Sequence, residues 1–178
     1  PLHVGHLRSL NIGRSLYNVN KLAGNTVLSD IHMGDWGMPI AQIIQYGIEK
    51  KINFEKITIQ ELEEIYPIAS DLYSKNNDFT QLAQNINKNL NNNQKDLITK
   101  WKSIKVTSLT SLKSTLHQLN HKFDLWRGES DVNDLIPNMI EDLKSKNKIS
   151  LDDGAYVSGL KTDPKILITK SDGSYLYL

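Results

Sequence analysis

Two histidines and a glycine near the start of the chain have the types and spacing of a phosphate-binding loop. His3, Gly5 and His6 form a His-x-Gly-His pattern directly before an amphipathic stretch. Glycine lets backbone approach a ligand closely, and a helix N-terminus favours negative charge. The two imidazoles can project to one side of the turn and donate hydrogen bonds to phosphate oxygens during nucleotidyl transfer. The pattern is short enough to arise by chance, so the surrounding elements must decide its meaning.

The elements that follow this loop have the order of a parallel α/β sheet. Apolar residues at helical spacing predict a helix over residues 7–23, which Gly24 ends. Gly13 within it indicates either close approach by another element or a tolerated glycine. Residues 25–31 are β-prone, and loop, helix, strand and helix in sequence favour a parallel sheet. Nucleotides bind beyond the carboxyl ends of such strands.

A second glycine-flanked turn covers residues 34–37. We expect Trp36 to be a packing residue and Asp35 to cap the next helix, in whose first turn Pro39 fits. His32, next to the end of the predicted strand, is a candidate ligand contact.

From residue 51 to 148 helical periodicity dominates. The lysine-rich part of this region is interpreted as a solvated helix face, with contact to an RNA backbone as the alternative. We expect the asparagine-rich residues 85–93 to be a helix end and loop rather than a core element. A leucine stripe predicts core packing, and it consists of Leu109, Leu112, Leu116 and Leu119.

The remaining candidates are less specific. His117 and His121 have a spacing that metal sites can use, but no acidic or cysteine partner accompanies them, so we predict no metal site there. Gly154 predicts a turn into a strand, residues 166–169 predict another strand, and residues 170–178 predict a hairpin with Asp-Gly at its tip.

The composition limits the possible classes of protein. The chain has 178 residues, a net charge of +1 and no cysteine. Disulfides, thiolate catalysis and thiolate metal sites are therefore excluded, and a strong global attraction to nucleic acid is not expected. No signal peptide or apolar run of about 20 residues is present, so we expect no membrane partner. The abrupt start and end suggest an excerpt of a longer protein.

Several separated motifs together resemble the catalytic domain of class I arginyl-tRNA synthetases. The matching segments are residues 1–9, 34–37, 123–126, 153–155 and 170–177. The resemblance covers nearly the whole chain, more loosely over residues 51–122. It implies an α/β fold, with a Rossmann-like nucleotide-binding parallel sheet interrupted by a largely helical insertion.

The domains expected from this resemblance are the N-terminal half of the catalytic domain (residues 1–50), the helical insertion (51–148) and the return to the catalytic domain (149–178). The implied reaction forms arginyl-adenylate from L-arginine and ATP, and then transfers arginine to the 3′ end of its tRNA. The expected substrates and partners are L-arginine, arginine tRNA and ATP, which would bind together with Mg²⁺. We expect no metal bound by the protein itself. The expected location is the bacterial cytoplasm, with an organellar matrix as the alternative.

The resemblance also assigns roles to individual residues. His3 and His6 would be catalytic, His3, Gly5 and His6 would bind ATP, and Tyr177 would bind arginine. Family segments before residue 1 and after Tyr177 are absent, and Ile31 stands where many relatives have asparagine. We therefore expect this excerpt to be inactive by itself.

The sequence leaves two alternative functions open. One is another His-x-Gly-His nucleotidyltransferase of the same superfold, such as a pantothenate synthetase, against which the 34–37 turn and the long helical region argue. The other is a non-catalytic synthetase-like module that binds RNA or a protein.

Overall fold

A computed structural model describes residues 2–160 and 164–170, which form two compact units. The first unit is Pro1–Arg127 and the second is Gly128–Leu178. Among the described residues no helix combines the length and the apolar character needed to cross a membrane.

The first unit begins with the predicted helix, α1, at Val4–Leu22. The strand β1, Asp30–Met33, follows and pairs with β2, Leu125–Gly128, in a short parallel sheet. The α/β class is therefore confirmed. Of the β-prone residues 25–31, only the last two belong to β1. The two neighbouring strands are separated in sequence by a long helical segment.

Four helices form the core of this intervening segment. They are α2 (Met38–Glu49), α3 (Ile59–Lys75), α4 (Asn77–Asn91) and α5 (Lys95–Gln118). Each contributes a small or aliphatic stripe to one cluster, so burial of apolar surface holds them together. The fully or almost fully buried members are Ala41, Ile44, Ala69, Ala83, Leu90, Leu97 and Ile104. Because α2 belongs to this core, the helical packing begins upstream of residue 51. The predicted boundaries at residues 50/51 and 148/149 stay predictions.

The asparagine-rich stretch is a helix end followed by a turn, as expected, because α4 ends at Asn91 and residues 92–93 form the turn. The expectation that it is not a core element is wrong. Residues 85–91 continue α4, where Leu90 is 1% exposed and Asn87 is buried. Phe79, Ala83 and Leu90 are buried at helical spacing, and burial of this stripe overrides the weak helix propensity of asparagine. Asn76 caps α4, with its side chain accepting a hydrogen bond from the Phe79 N–H at 3.0 Å.

The leucine stripe of α5 is core only in part. Leu116 is fully buried, but Leu109 and Leu112 are half-buried and Leu119 is 44% exposed. The physical reason is that α5 extends beyond the four-helix core, whose cluster of buried residues ends on this helix at Ile104.

The second unit contains α6 (Ile136–Ser145) and the antiparallel hairpin of β3 (Ile149–Asp152) and β4 (Ala155–Ser158). The predicted turn before β4 is confirmed. Asp153 and Gly154 both have positive φ, 45° and 81°, as a two-residue hairpin loop requires. Strand β3 was not expected from the sequence. The predicted strand at 166–169 lies against β4. Leu167 and Val157 form a bridge, and the N–H groups of Ser158 and Ile168 donate to the carbonyls of Ile166 and Tyr156 at 2.8 and 2.7 Å.

Candidate active site

His3 and His6 cap the N-terminus of α1 reciprocally. His3 is the N-cap residue, and its Nδ1 accepts a hydrogen bond from the Gly5 N–H at 3.0 Å. The Nδ1 of His6 accepts in turn from the His3 N–H at 3.2 Å. The two ring centroids lie 4.0 Å apart, so the sequence-predicted pair is brought together. These contacts satisfy backbone donors that an α-helix leaves without partners.

This capping also selects the tautomer of each imidazole. Because Nδ1 is the acceptor in both contacts, the neutral ring carries its proton on Nε2. The Nε2–H groups of His3 and His6 are therefore the atoms able to donate to a ligand, and both side chains are exposed. Together with the positive end of the helix dipole, they form a set of donors suited to a phosphate or another oxyanion.

Gly5 accommodates the His3 ring. A Cβ built on Gly5 would lie 2.7 Å from Cε1 and 2.9 Å from Nδ1 of His3, closer than carbon and nitrogen atoms normally approach. With a larger residue at this position the His3 ring would have to move from its capping position. The sequence suggested a different reason, the close approach of backbone to a ligand, and these two reasons can be separated by experiment.

The turn at residues 34–37 is held by α4 and α5. Trp36 donates from Nε1 to Oδ1 of Asn91 at 3.0 Å and contacts Trp101 edge to face, with ring centroids 5.0 Å apart. Its predicted packing role is confirmed. The expectation that Asp35 caps α2 is wrong: the N-cap is Gly37, without a side-chain cap, and Asp35 pairs with Lys105 at 2.6 Å. The positive φ of Gly37, 88°, turns the chain into α2.

A cavity of about 210 Å³ lies between α1 and β1. It begins at Ser9, one turn after His6, and extends along the helix past Gly13 to Tyr17. Ser29 and residues 30–32 of β1 form another side, so the candidate ligand contact His32 lines this cavity. A Cβ on Gly13 would meet nothing within 4 Å, which shows that this glycine borders open space rather than a closely packed element.

Arg14 and His121 line the same cavity, and the sequence gave no reason to select Arg14. The Arg14 guanidinium lies over the rings of Tyr17 and Phe123, at 5.0 and 5.7 Å from their centroids, and donates to the Lys122 carbonyl. It thereby attaches α1 to the segment before β2. His121 is 6% exposed, and its Nδ1 has no hydrogen-bond partner among the described residues.

Asp124 joins the strand ends beside this cavity. Its carboxylate accepts hydrogen bonds from the backbone N–H and the hydroxyl of Ser29, both at 2.8 Å. The Ser29 backbone N–H foremost, and then its hydroxyl, hold the pKa of Asp124 below its ordinary value. This contact fixes the start of β1 against the start of β2.

Not every predicted residue can be placed. Tyr177 and the hairpin of residues 171–178 lie outside the described residues. Among the residues that are described, no three histidine, aspartate or glutamate side chains come together as a potential metal site.

Comparison with known proteins agrees on one family. The family model described as class I tRNA synthetases (R), catalytic domain, matches residues 1–178. The arginine–tRNA ligase of Agathobacter rectalis is 36% identical over 197 aligned residues, which cover 99% of this chain and 33% of that protein. The arginine–tRNA ligase of Francisella tularensis subsp. holarctica is 32% identical over 193, again across 99% of this chain and 33% of the relative. The chain thus spans about a third of the length of the curated relatives it matches.

Two solved structures share the fold. The arginyl-tRNA synthetase of Plasmodium falciparum matches with a TM-score of 0.73 at 23% identity, over 98% of this chain and 30% of that one. A putative arginyl-tRNA synthetase from Campylobacter jejuni matches with a TM-score of 0.61 at 18% identity, over 99% of this chain and 39% of that one. At these identities the likeness concerns the fold alone. The match of the family model along the whole sequence shows the family: this chain belongs to the class I tRNA synthetases for arginine, as a part of their catalytic domain.

Proposed function

We propose that this chain supplies the ATP-binding part of an enzyme that ligates arginine to its tRNA. The observation that carries the proposal is the reciprocal capping of α1, which occupies both Nδ1 atoms and leaves the Nε2–H groups of His3 and His6 as donors for a ligand. Membership of the arginine family and the relatives named arginine–tRNA ligase support the choice of substrate.

In the first step the arginine carboxylate attacks the α-phosphorus of ATP, and pyrophosphate leaves with the electrons of the broken P–O bond. Negative charge grows on the phosphate oxygens as this happens. His3 and His6 would donate hydrogen bonds to these oxygens without first having to reorient, because their rings are already fixed by the helix cap. Gly5 would contribute by leaving room for the His3 ring and by presenting backbone near the phosphates.

In the second step the terminal ribose hydroxyl of the arginine tRNA takes the arginyl group, and AMP leaves. Tyr177 would form part of the arginine pocket. Mg²⁺ would arrive with ATP, since this ion is usually held by substrate phosphates together with one or two carboxylates. The cytoplasm of a bacterium or the matrix of an organelle, where tRNA is charged, is the location that this reaction implies.

The test is arginine-dependent exchange of pyrophosphate into ATP, measured on the full-length protein with arginine tRNA present. We expect His3→Ala and His6→Ala each to lower kcat by about 10²–10³-fold, the usual effect of losing one donor to a developing oxyanion. Asn11→Ala, an exposed position on the same helix, is the matched control. Exchange that depended on another amino acid would contradict the assignment to arginine. Full exchange in both histidine variants would contradict their catalytic role and favour a non-catalytic module.

A further inference from the structure

The turn at residues 34–37 is fastened to α5 by a compact set of contacts. The Lys105 ammonium pairs with Asp35 Oδ2 at 2.6 Å, and the side chains are only 19% and 11% exposed. The indole Nε1 of Trp101 donates to the backbone carbonyl of Asp35 at 2.7 Å. Lys105 also lies over the Trp101 ring, 5.2 Å from its centroid. One residue of the turn is thus held at both its side chain and its backbone.

These contacts are better suited to fixing a position than to stabilising the fold. Desolvation offsets much of the Coulomb energy of a poorly exposed ion pair, so such a pair is weak evidence for net stability. Its geometry is nevertheless strict, because a displaced partner leaves a charge without its counterion in a poorly hydrated place. The edge-to-face contact of Trp36 with Trp101 adds a rigid aromatic surface to the same turn.

The turn at residues 34–37 lies at the end of β1 where a ligand is expected to bind. Residues 34–37 directly follow Met33, the last residue of β1, and ligands of open parallel sheets bind beyond the carboxyl ends of the strands. His32, on the same strand, lines the cavity beside α1. A displacement of the turn would therefore move the ligand-facing end of β1 relative to the helix that carries His3 and His6.

We propose that Lys105 and Trp101 of α5 are positioning residues, which hold residues 34–37 in the place that adenylate formation requires. The inference rests on the proposed function. It means that a helix of the intervening segment, without touching substrate, sets the rate of the chemical step. Misplacement of reacting groups by about 1 Å can cost about 10²-fold in rate, so kcat is the sensitive quantity.

The experiment compares K105M, W101F and the double variant D35N/K105M in the full-length protein. We expect K105M to lower kcat of arginine-dependent pyrophosphate exchange by about 10–100-fold, with a smaller change in the KM for ATP. W101F removes the indole N–H that donates to Asp35, together with the five-membered ring, and keeps an aromatic side chain, so it should lower kcat in the same direction. The double variant should be no slower than K105M alone, because either change already opens the pair. K102M, an exposed lysine three residues earlier on α5, is the control and should keep the parent rate.

Melting temperatures separate positioning from folding. A well-folded K105M or W101F with parent kcat would overturn the inference, as would a loss confined to thermal stability. If K105M does not fold, W101F decides by the same criterion. Failure of the proposed function has a different signature: the unmodified protein itself would show no arginine-dependent exchange, and the inference would fall with it.

Discussion

Replacement of Gly5 by alanine tests whether glycine at this position makes room for the His3 ring or lets the backbone approach the ligand. The added Cβ would lie 2.7 Å from His3 Cε1 and 2.9 Å from Nδ1, so the imidazole has to move. The hydrogen bond from the Gly5 N–H to Nδ1, 3.0 Å in the native geometry, is then lost. The Nε2–H group of His3 turns away from its original direction together with the ring.

Gly5→Ala should change the free energy of unfolding little and the activation free energy of the reaction much more. Loss of an N-cap side chain costs about 1 kcal/mol of stability. Replacing glycine by alanine in a helix returns up to about 1 kcal/mol, so the net change in the free energy of unfolding should be small. Loss of one donor to a developing oxyanion instead raises the barrier by about 3 kcal/mol, or about 10²–10³-fold in kcat. Gly5→Ala should therefore be a folded and slow enzyme.

The assay is pyrophosphate exchange in G5A, H3A and the double variant G5A/H3A, with chemical denaturation of each protein. If Gly5 serves to house the His3 ring, its replacement has no further effect on kcat once His3 is gone. Gly13→Ala is the matched control on the same helix. Its Cβ would meet nothing within 4 Å, so we expect α1 to be stabilised by up to about 1 kcal/mol.

A full additional loss of kcat in the double variant would refute this reasoning. It would mean that Gly5 acts independently of His3, through direct approach of backbone to the phosphates. Parent-like kcat in G5A alone would refute both explanations.

Two further predictions concern the packing around the site. Gly47→Ala should destabilise the helical core by about 1–3 kcal/mol in chemical denaturation, because the new Cβ would overlap Cζ of the buried Phe54 ring; unchanged stability would show that the ring can move aside. Ser29→Ala should raise the pKa of Asp124 part of the way to its ordinary value of 3.8, since the stronger backbone N–H contact remains, and a carbon-detected NMR titration measures this. A carboxylate whose pKa is lowered in the folded state stabilises the native protein at pH values above its ordinary pKa, and this contribution is lost as the pH falls through the folded-state pKa. The native chain should therefore lose stability from Asp124 on acidification. The Ser29→Ala variant should lose less, because its pKa is lowered less.

The sequence predicts local structure around the candidate site well where a single element decides it. α1 follows from apolar spacing and Gly24, and the turn before β4 follows from Gly154. Trp36 is large and lies between glycines, which was enough to predict an anchor. The proximity of His3 and His6 also follows from their spacing, because only one helical turn separates them.

Contacts distant in sequence could not be predicted in this way. The partner of Asp35 is Lys105, which is one of many lysines in its segment and has no distinguishing neighbour in the sequence. In the sequence Arg14 resembles an ordinary helix surface residue, and its contacts with the Tyr17 and Phe123 rings become visible only in the fold. The burial at the asparagine-rich end of α4 does not follow from its polar composition, because burial of Leu90 depends on helices elsewhere in the chain.

The connection of β1 to β2 has a consequence for how this protein folds. Ser29 and Asp124, which join the two strand ends, are 95 residues apart in sequence. Closing a flexible loop of that length would cost about 4 kcal/mol of chain entropy, more than a two-stranded sheet can readily repay. Helices α2 to α5 form from nearby contacts and shorten the distance between the strand ends, so they should assemble first and the sheet last. A substitution in the helical core, far from His3 and His6, would then appear first as late or incomplete formation of the strands beside them.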